Sequence, residues 1–268
     1  MEPEGTARAA ATEGAGDGPA GSLRARSQGG VATVTIDHPA KRNAMTAEMW
    51  RALPPLLDRL AADREVRVLL LTGAGGTFCA GADISALRTG AAPAQELAVA
   101  AEEALAAFPR PTVAVVRGHC VGGGCQLAAA CDLRFAAEDA RFGVTPARLG
   151  IVYPASSTAR LVGLTGPATA KHLLFSAELI GAGRALRCGL VDEVHAEGAL
   201  DDRVAEYARL LAARSQLTQA AAKEFADGRA DPDRVAYWHR EAAAGGDTAE
   251  GVSAFLERRP PRFTWPVR

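Results

Sequence analysis

Two glycine-bearing stretches recur in this chain, each directly after a run that reads as a buried strand. The first is Thr77-Phe78-Cys79-Ala80-Gly81-Ala82-Asp83-Ile84, after Val66-Arg67-Val68-Leu69-Leu70-Leu71-Thr72. The second is Gly118-His119-Cys120-Val121-Gly122-Gly123-Gly124-Cys125-Gln126-Leu127, after Pro111-Thr112-Val113-Ala114-Val115-Val116. Each loop can present a backbone N–H. Two such donors aimed at one point stabilise an oxyanion, and that chemistry needs no particular side chain. The second stretch runs into an alanine-rich helical segment, residues 127–131. A helix N-terminus adds free N–H donors and the positive end of the dipole.

The elements that must hold these loops follow from the pattern of the chain. Residues 31–36 alternate and are β-branched, the mark of a strand. Thr46 offers a hydroxyl cap for a helix running toward Asp63, and Pro54-Pro55 should kink or restart it. Residues 66–72 and 113–116 are strands leading into the loops. Residues 132–136 read as a further strand, with Arg141-Phe142-Gly143-Val144 beside it. Residues 86–94 are small and punctuated by Gly and Pro, hence mobile loop, and residues 98–108 read as a helix stopped by Pro109 and Pro111. Helical turns open near residues 156–158, at Gly166-Pro167 and at Gly183, and a last core strand lies near residues 191–194. Strands alternating with helices imply an α/β fold with right-handed crossovers. No internal repeat is visible.

Composition narrows the function classes. Hydrophobic residues make up 48% and charged residues 23% of 268, a globular balance. A formal net charge of −1 gives no global pull toward nucleic acid or an anionic membrane, so any anionic ligand needs a local basic cluster. No apolar run reaches the ~18 residues of a membrane span. Residues 1–28, rich in Ala, Gly and Glu, lack the build of a signal peptide and read as a disordered tail. Residues 29–200 form the core and residues 201–268 a helical C-terminal region. The five cysteines follow neither metal nor disulfide spacing and read as reduced, buried small hydrophobes of a cytoplasmic protein. No metal site is expected.

The loops and their context closely resemble the crotonase superfamily of enoyl-CoA hydratases, isomerases and relatives. The resemblance spans about residues 31–263. It rests on Ile36-Asp37-His38-Pro39 with Lys41-Arg42-Asn43-Ala44-Met45, on the two glycine loops, on Cys131-Asp132-Leu133, and on the stretches at residues 185–194 and 255–259. It implies a core of ββα turns stacked as a spiral and a helical C-terminal trimerisation region, hence a homo-trimer or hexamer. It implies an acyl-CoA substrate, with coenzyme A entering only as part of the thioester and no separate cofactor. The oxyanion donors fall on the backbone N–H groups of Ala82 and Gly123. Lys41, Arg42, Ala44, Ala80, Asp83 and Ile84 match the region around the CoA. Phe255 and Arg258 match positions that reach a neighbouring subunit's CoA. Asp83 also has a plainer role as a loop-capping carboxylate.

The departures from the family are as informative. A two-glutamate hydratase carries its first glutamate where this chain has Gln126, and its second where it has Pro146. An amide cannot take a proton at a useful pKa, and proline has no side-chain chemistry. Efficient hydration is therefore not expected. The run Thr145-Pro146-Ala147-Arg148-Leu149-Gly150-Ile151-Val152-Tyr153 resembles the methylmalonyl-CoA decarboxylase branch instead. There Tyr153 would orient a carboxylate, or else serve as a core tyrosine. That branch carries a histidine at the Ala82 position and a glutamate at the Gln126 position. Glu96, Glu102 and Glu103 lie where a covering helix would pass, as recruited acids or as an ordinary solvated face. His119 reads as structural, and His38 sits in a turn with no evident partner. A non-catalytic acyl-CoA-binding relative is the remaining alternative.

Overall fold

The computed structural model describes residues 21–84 and 91–265. A hairpin opens the described residues. β1 (Ser22–Gln28) pairs antiparallel with β2 (Val31–Asp37) across Gly29 and Gly30, both at positive φ as a tight two-residue turn requires. Residues 22–28 thus belong to the sheet, not to a tail. β1 is mostly exposed, so backbone pairing rather than apolar burial holds it.

From β2 onward the large sheet is parallel. β3 (Val68–Gly73), β4 (Thr112–Val116), β6 (Leu133–Ala137) and β9 (Glu193–His195) continue it in the order β1-β2-β3-β4-β6-β9. β4 is buried at every residue, as a parallel strand covered on both faces must be. α1 (Ala47–Ala62), capped by Thr46 Oγ1 accepting from Met49 N at 3.2 Å, presses Met49, Trp50, Leu53, Leu56, Leu57 and Leu60 into the main core. It runs through Pro54 and Pro55 without a break, contrary to the expected kink. Burial of that apolar stripe outweighs two lost helical hydrogen bonds, a penalty of ~3 kcal/mol for an interior proline.

α2 (Ala91–Ala106) begins seven residues before the helix expected from residue 98, and residues 85–90 of the anticipated mobile loop lie outside the described residues. A second, small sheet joins β5 (His119–Val121), β7 (Arg141–Gly143) and β8 (Ile180–Gly181). β7 therefore pairs with β5 and β8 rather than beside β6. Single bridges Met45↔Ala82 and Cys79↔Cys120 add parallel contacts of the same kind. Each pass of the chain thus contributes one long strand to the large sheet and one short extended piece to a second line.

α3 (Gly123–Ala130) follows β5, and α4 (Ala155–Ser176) follows β7, broken at Gly166 (φ 73) before Pro167. After β8 come α5 (Ala182–Arg187) and, beyond β9, α6 (Glu197–Ala212). α6 closes the sheet's other face, with Leu200 and Val204 against Val113, Val115 and Phe135. The expected core boundary at residue 200 therefore cuts a helix that belongs to the sheet. α7 (Gln216–Ala226) and α8 (Pro232–Ala244) meet at Leu217, Ala220 and Trp238, and α9 (Asp247–Leu256) is tied to the start of α7 by Ser215 Oγ donating to Asp247 Oδ2 at 2.7 Å.

Candidate active site

The first glycine loop is held in extension by the turn at residues 41–45. Met45 N donates to Gly81 O (2.8 Å), Asp83 N to Met45 O (2.9 Å), and Ala80 N to Arg42 O (3.0 Å). In such a parallel bridge the intervening residue points its amide the other way, so Ala82 N–H faces away from Met45. Asn43 fixes the turn. It is fully buried, accepts from His38 N through Oδ1 (2.8 Å), and donates through Nδ2 to Ala74 O (2.8 Å) and Thr77 O (2.5 Å). His38, expected to lack a partner, is buried with Nδ1 2.8 Å from Ala44 O.

The second loop closes against the first. Val121 N donates to Cys79 O (3.0 Å) and Gly122 N to Gly143 O (2.8 Å). Gly122 caps α3 at φ 55, ψ −119. A Cβ at Gly124 would lie 2.2 Å from Cys79 O, so only glycine admits this approach. A Cβ built on Gly123 would stand 3.4 Å from Ala82 N, and one on Gly81 3.5 Å from Gly123 N. The two amides therefore lie close together, and among the described residues neither meets a protein acceptor.

They open on a cavity of about 150 Å³. Ala82, Gly123, Gln126 and Tyr153 all line it, with Pro146 in the wall and Trp50 beneath Gly123. Burial pushes the Tyr153 phenol well above its usual value, so at neutral pH its O–H is a donor. None of the described lining residues is Asp or Glu. Gln95, which sequence reasoning did not single out, bridges the cavity wall by donating to Val152 O at 2.6 Å.

The other anticipated residues separate into groups. Ala80 and Ile84 line the cavity. Lys41 Nζ donates to Asp83 Oδ2 at 2.7 Å. Arg42 takes a left-handed conformation ending a short 3-10 turn, and Ala44 is buried. Phe255 and Arg258, near the end of α9, do not line the cavity, and Phe255 is 82% exposed. Of the three glutamates, Glu96 and Glu103 are on the surface. Glu102 is fully buried behind Gln126, which overturns the solvated-face reading for that residue. All five cysteines are free thiols, and burial raises Cys79 and Cys131 to about 12, so neither is a reactive thiolate at neutral pH. Among the described residues no cluster of metal-ligating side chains occurs, and no helix is long and apolar enough to cross a membrane.

The enoyl-CoA hydratase/isomerase family model matches residues 26–266. The chain belongs to this family. It is 36% identical to a putative enoyl-CoA hydratase of Thermus thermophilus, over 88% of this chain and 98% of that protein. It is 34% identical to the crotonyl-CoA hydratase of Syntrophomonas wolfei, over 87% and 94% of the two chains. The solved structure of a putative family protein from Hyphomonas neptunium superposes with a TM-score of 0.85 at 35% identity, covering 91% of this chain and 97% of that one. The family's α/β fold and the helical C-terminal region are thus both present.

Proposed function

We propose that this chain acts on an acyl-CoA thioester through an enolate whose oxygen is held by the Ala82 and Gly123 amides. The observation that carries the reading is the closeness of two unpartnered N–H groups at a cavity whose described lining holds no carboxylate. Donors so placed act on developing negative charge, and each is worth ~3–4 kcal/mol of barrier. Gln126 and Pro146 stand where hydration would need an acid and a base, so reactions that form the enolate without a paired carboxylate fit the site better than efficient hydration.

Tyr153 favours decarboxylation of a malonyl-type thioester as a second reading. Its hydroxyl can orient the departing carboxylate. The C–C bond to that group breaks, its electron pair forms the enolate, CO2 leaves, and the α-carbon takes a proton from solvent water. The Lys41–Arg42 turn, with Ala44, Ala80, Asp83 and Ile84, would receive the CoA, and Phe255 with Arg258 would reach the CoA of a neighbouring subunit in a trimer or hexamer. Turnover of crotonyl-CoA, a 3-enoyl-CoA and methylmalonyl-CoA tests the proposal. Hydration of crotonyl-CoA at the rate of a two-glutamate enzyme would overturn the reading against hydration, and thioester binding without any turnover would overturn the enolate chemistry and leave a scaffold protein.

A further inference from the structure

Behind the cavity, three helices meet at one carboxylate. Glu102 of α2 is fully buried. Its Oε2 accepts from Gln126 Nε2 of α3 at 2.5 Å and from Ser157 Oγ of α4 at 2.5 Å. Its Oε1 is bound by Arg160 Nη1, one turn further along α4, while Arg160 Nη2 reaches Glu103 at 3.2 Å.

This set dictates which way Gln126 faces. A carboxylate in an ion pair has lone pairs only. The Gln126 amide must therefore turn its NH2 toward Glu102, because the flipped amide would set oxygen against oxygen at hydrogen-bond distance. An amide orientation is normally ambiguous, and here the donor inventory resolves it. The carbonyl oxygen is left on the other side. Gln126 is only 4% exposed, lines the cavity, and sits three residues after Gly123, on the same face of α3. Among the described residues its Oε1 accepts no hydrogen bond. An unpartnered acceptor at the wall of an otherwise largely apolar cavity can take a donor from the ligand.

We propose that Glu102 is a positioning residue that locks Gln126 with its carbonyl oxygen toward the acyl group, so that the site selects acyl-CoA thioesters whose chain carries a hydroxyl. The proposal rests on the acyl-CoA reading above. Ser157 and Arg160 hold Glu102 in turn. Gln126 keeps an acceptor in the position of the missing glutamate without offering a base, and the nearest carboxylate is spent on orientation.

The test is calorimetric titration with butyryl-CoA and with 2-, 3- and 4-hydroxybutyryl-CoA. One hydroxylated isomer should bind about tenfold more tightly than butyryl-CoA, the ratio one neutral hydrogen bond supplies. Gln126→Met should bring that ratio to about 1, and Glu102→Gln, in which the lock is no longer polar in one direction, should lower it severalfold. Failure of butyryl-CoA itself to bind would defeat the acyl-CoA reading. Binding of all four thioesters with equal affinity would defeat this inference alone, as would a ratio that survives Gln126→Met. A water satisfying Oε1 would produce that equal binding. Should Glu102→Gln not fold, the wild-type Gln126 side-chain amide protons decide the lock, with Gln126→Met identifying them in the NMR spectrum. Downfield, exchange-protected signals are expected, and random-coil shifts with fast exchange would overturn it.

Discussion

Replacing Gly123 with proline removes one N–H and sets the ring Cδ in its place, at the proposed oxyanion position. Gly123 is the first residue of α3, where proline's fixed φ suits a helix and the missing N–H breaks no helical bond. Gly122 before it lies at φ 55, ψ −119, the mirror image of the extended region that a residue preceding proline requires, and open to glycine. The new Cβ would meet Trp50 Cζ2 at 3.0 Å, so the indole must shift slightly, at ~1–3 kcal/mol of stability. Gly123→Ala places the same Cβ against the same indole and keeps the N–H. The two variants should therefore unfold at similar urea midpoints. Only the proline variant should lose the donor, at ~3–4 kcal/mol or roughly 10²–10³ in kcat. The assay is kcat and KM, on whichever thioester the wild type turns over, for both variants. A fall in kcat with KM little changed marks an interaction made mainly in the transition state. A folded proline variant with the kcat of the alanine variant would remove Gly123 from the oxyanion hole.

Five further outcomes are expected. Wild-type hydration of crotonyl-CoA should run at least about a thousandfold below a two-glutamate enzyme, given ~10²–10⁴ per positioned acid or base, and Gln126→Glu with Pro146→Glu should recover part of it. Gln126→Glu alone should recover less. It also sets a second carboxylate against Glu102, where Gln126 now bonds at 2.5 Å. Repulsion raises the pair's pKa in the folded state, so the variant's stability deficit in urea titrations should be small near pH 4 and grow as pH rises. Tyr153→Phe should slow decarboxylation of methylmalonyl-CoA and leave CoA affinity intact, and an unchanged rate would dismiss the second reading. Arg259 and then the Arg262 N–H hold Glu250 down at about 2, so its hold on the C-terminal segment is present above pH 4.5 and lost as pH falls toward 2. Hydrogen exchange corrected for intrinsic rates should show the Arg262 amide losing protection over that window. Light scattering should give a trimer or hexamer, and a monomer at micromolar concentration would leave Phe255 and Arg258 without their proposed role.

The strands that carry the loops were legible because parallel strands buried on both faces must be written in continuous apolar residues, as residues 113–116 are. The cap at Thr46 and the break at Gly166-Pro167 are local chemistry and were equally readable. Ala82, Gly123, Gln126 and Tyr153 could be named from the loops and the family resemblance, and they line one cavity. What escaped was non-local. Glu102 reads as half of an exposed acidic pair because its partners Ser157 and Arg160 lie on a helix more than fifty residues later in the chain. β1 carries no apolar alternation, and its place depends on backbone pairing with β2. Asn43 looks like any turn residue until three of its hydrogen bonds are counted. Pro54 and Pro55 mislead because helix propensity weighs less than the six apolar side chains that α1 buries.

The donors at residues 82 and 123 belong to the main chain, held by the bonds to Met45 and by the approach of Gly124 to Cys79. Mutation exchanges side chains, and an amide N–H survives every exchange except proline. On the proposed reading, the part of the site that tames an enolate is therefore inherited with the fold itself. Gln126, Pro146 and Tyr153 can be exchanged without removing either donor. A lineage built this way can abandon one reaction and take up another without passing through an inert ancestor, because each intermediate still binds the same transient charge.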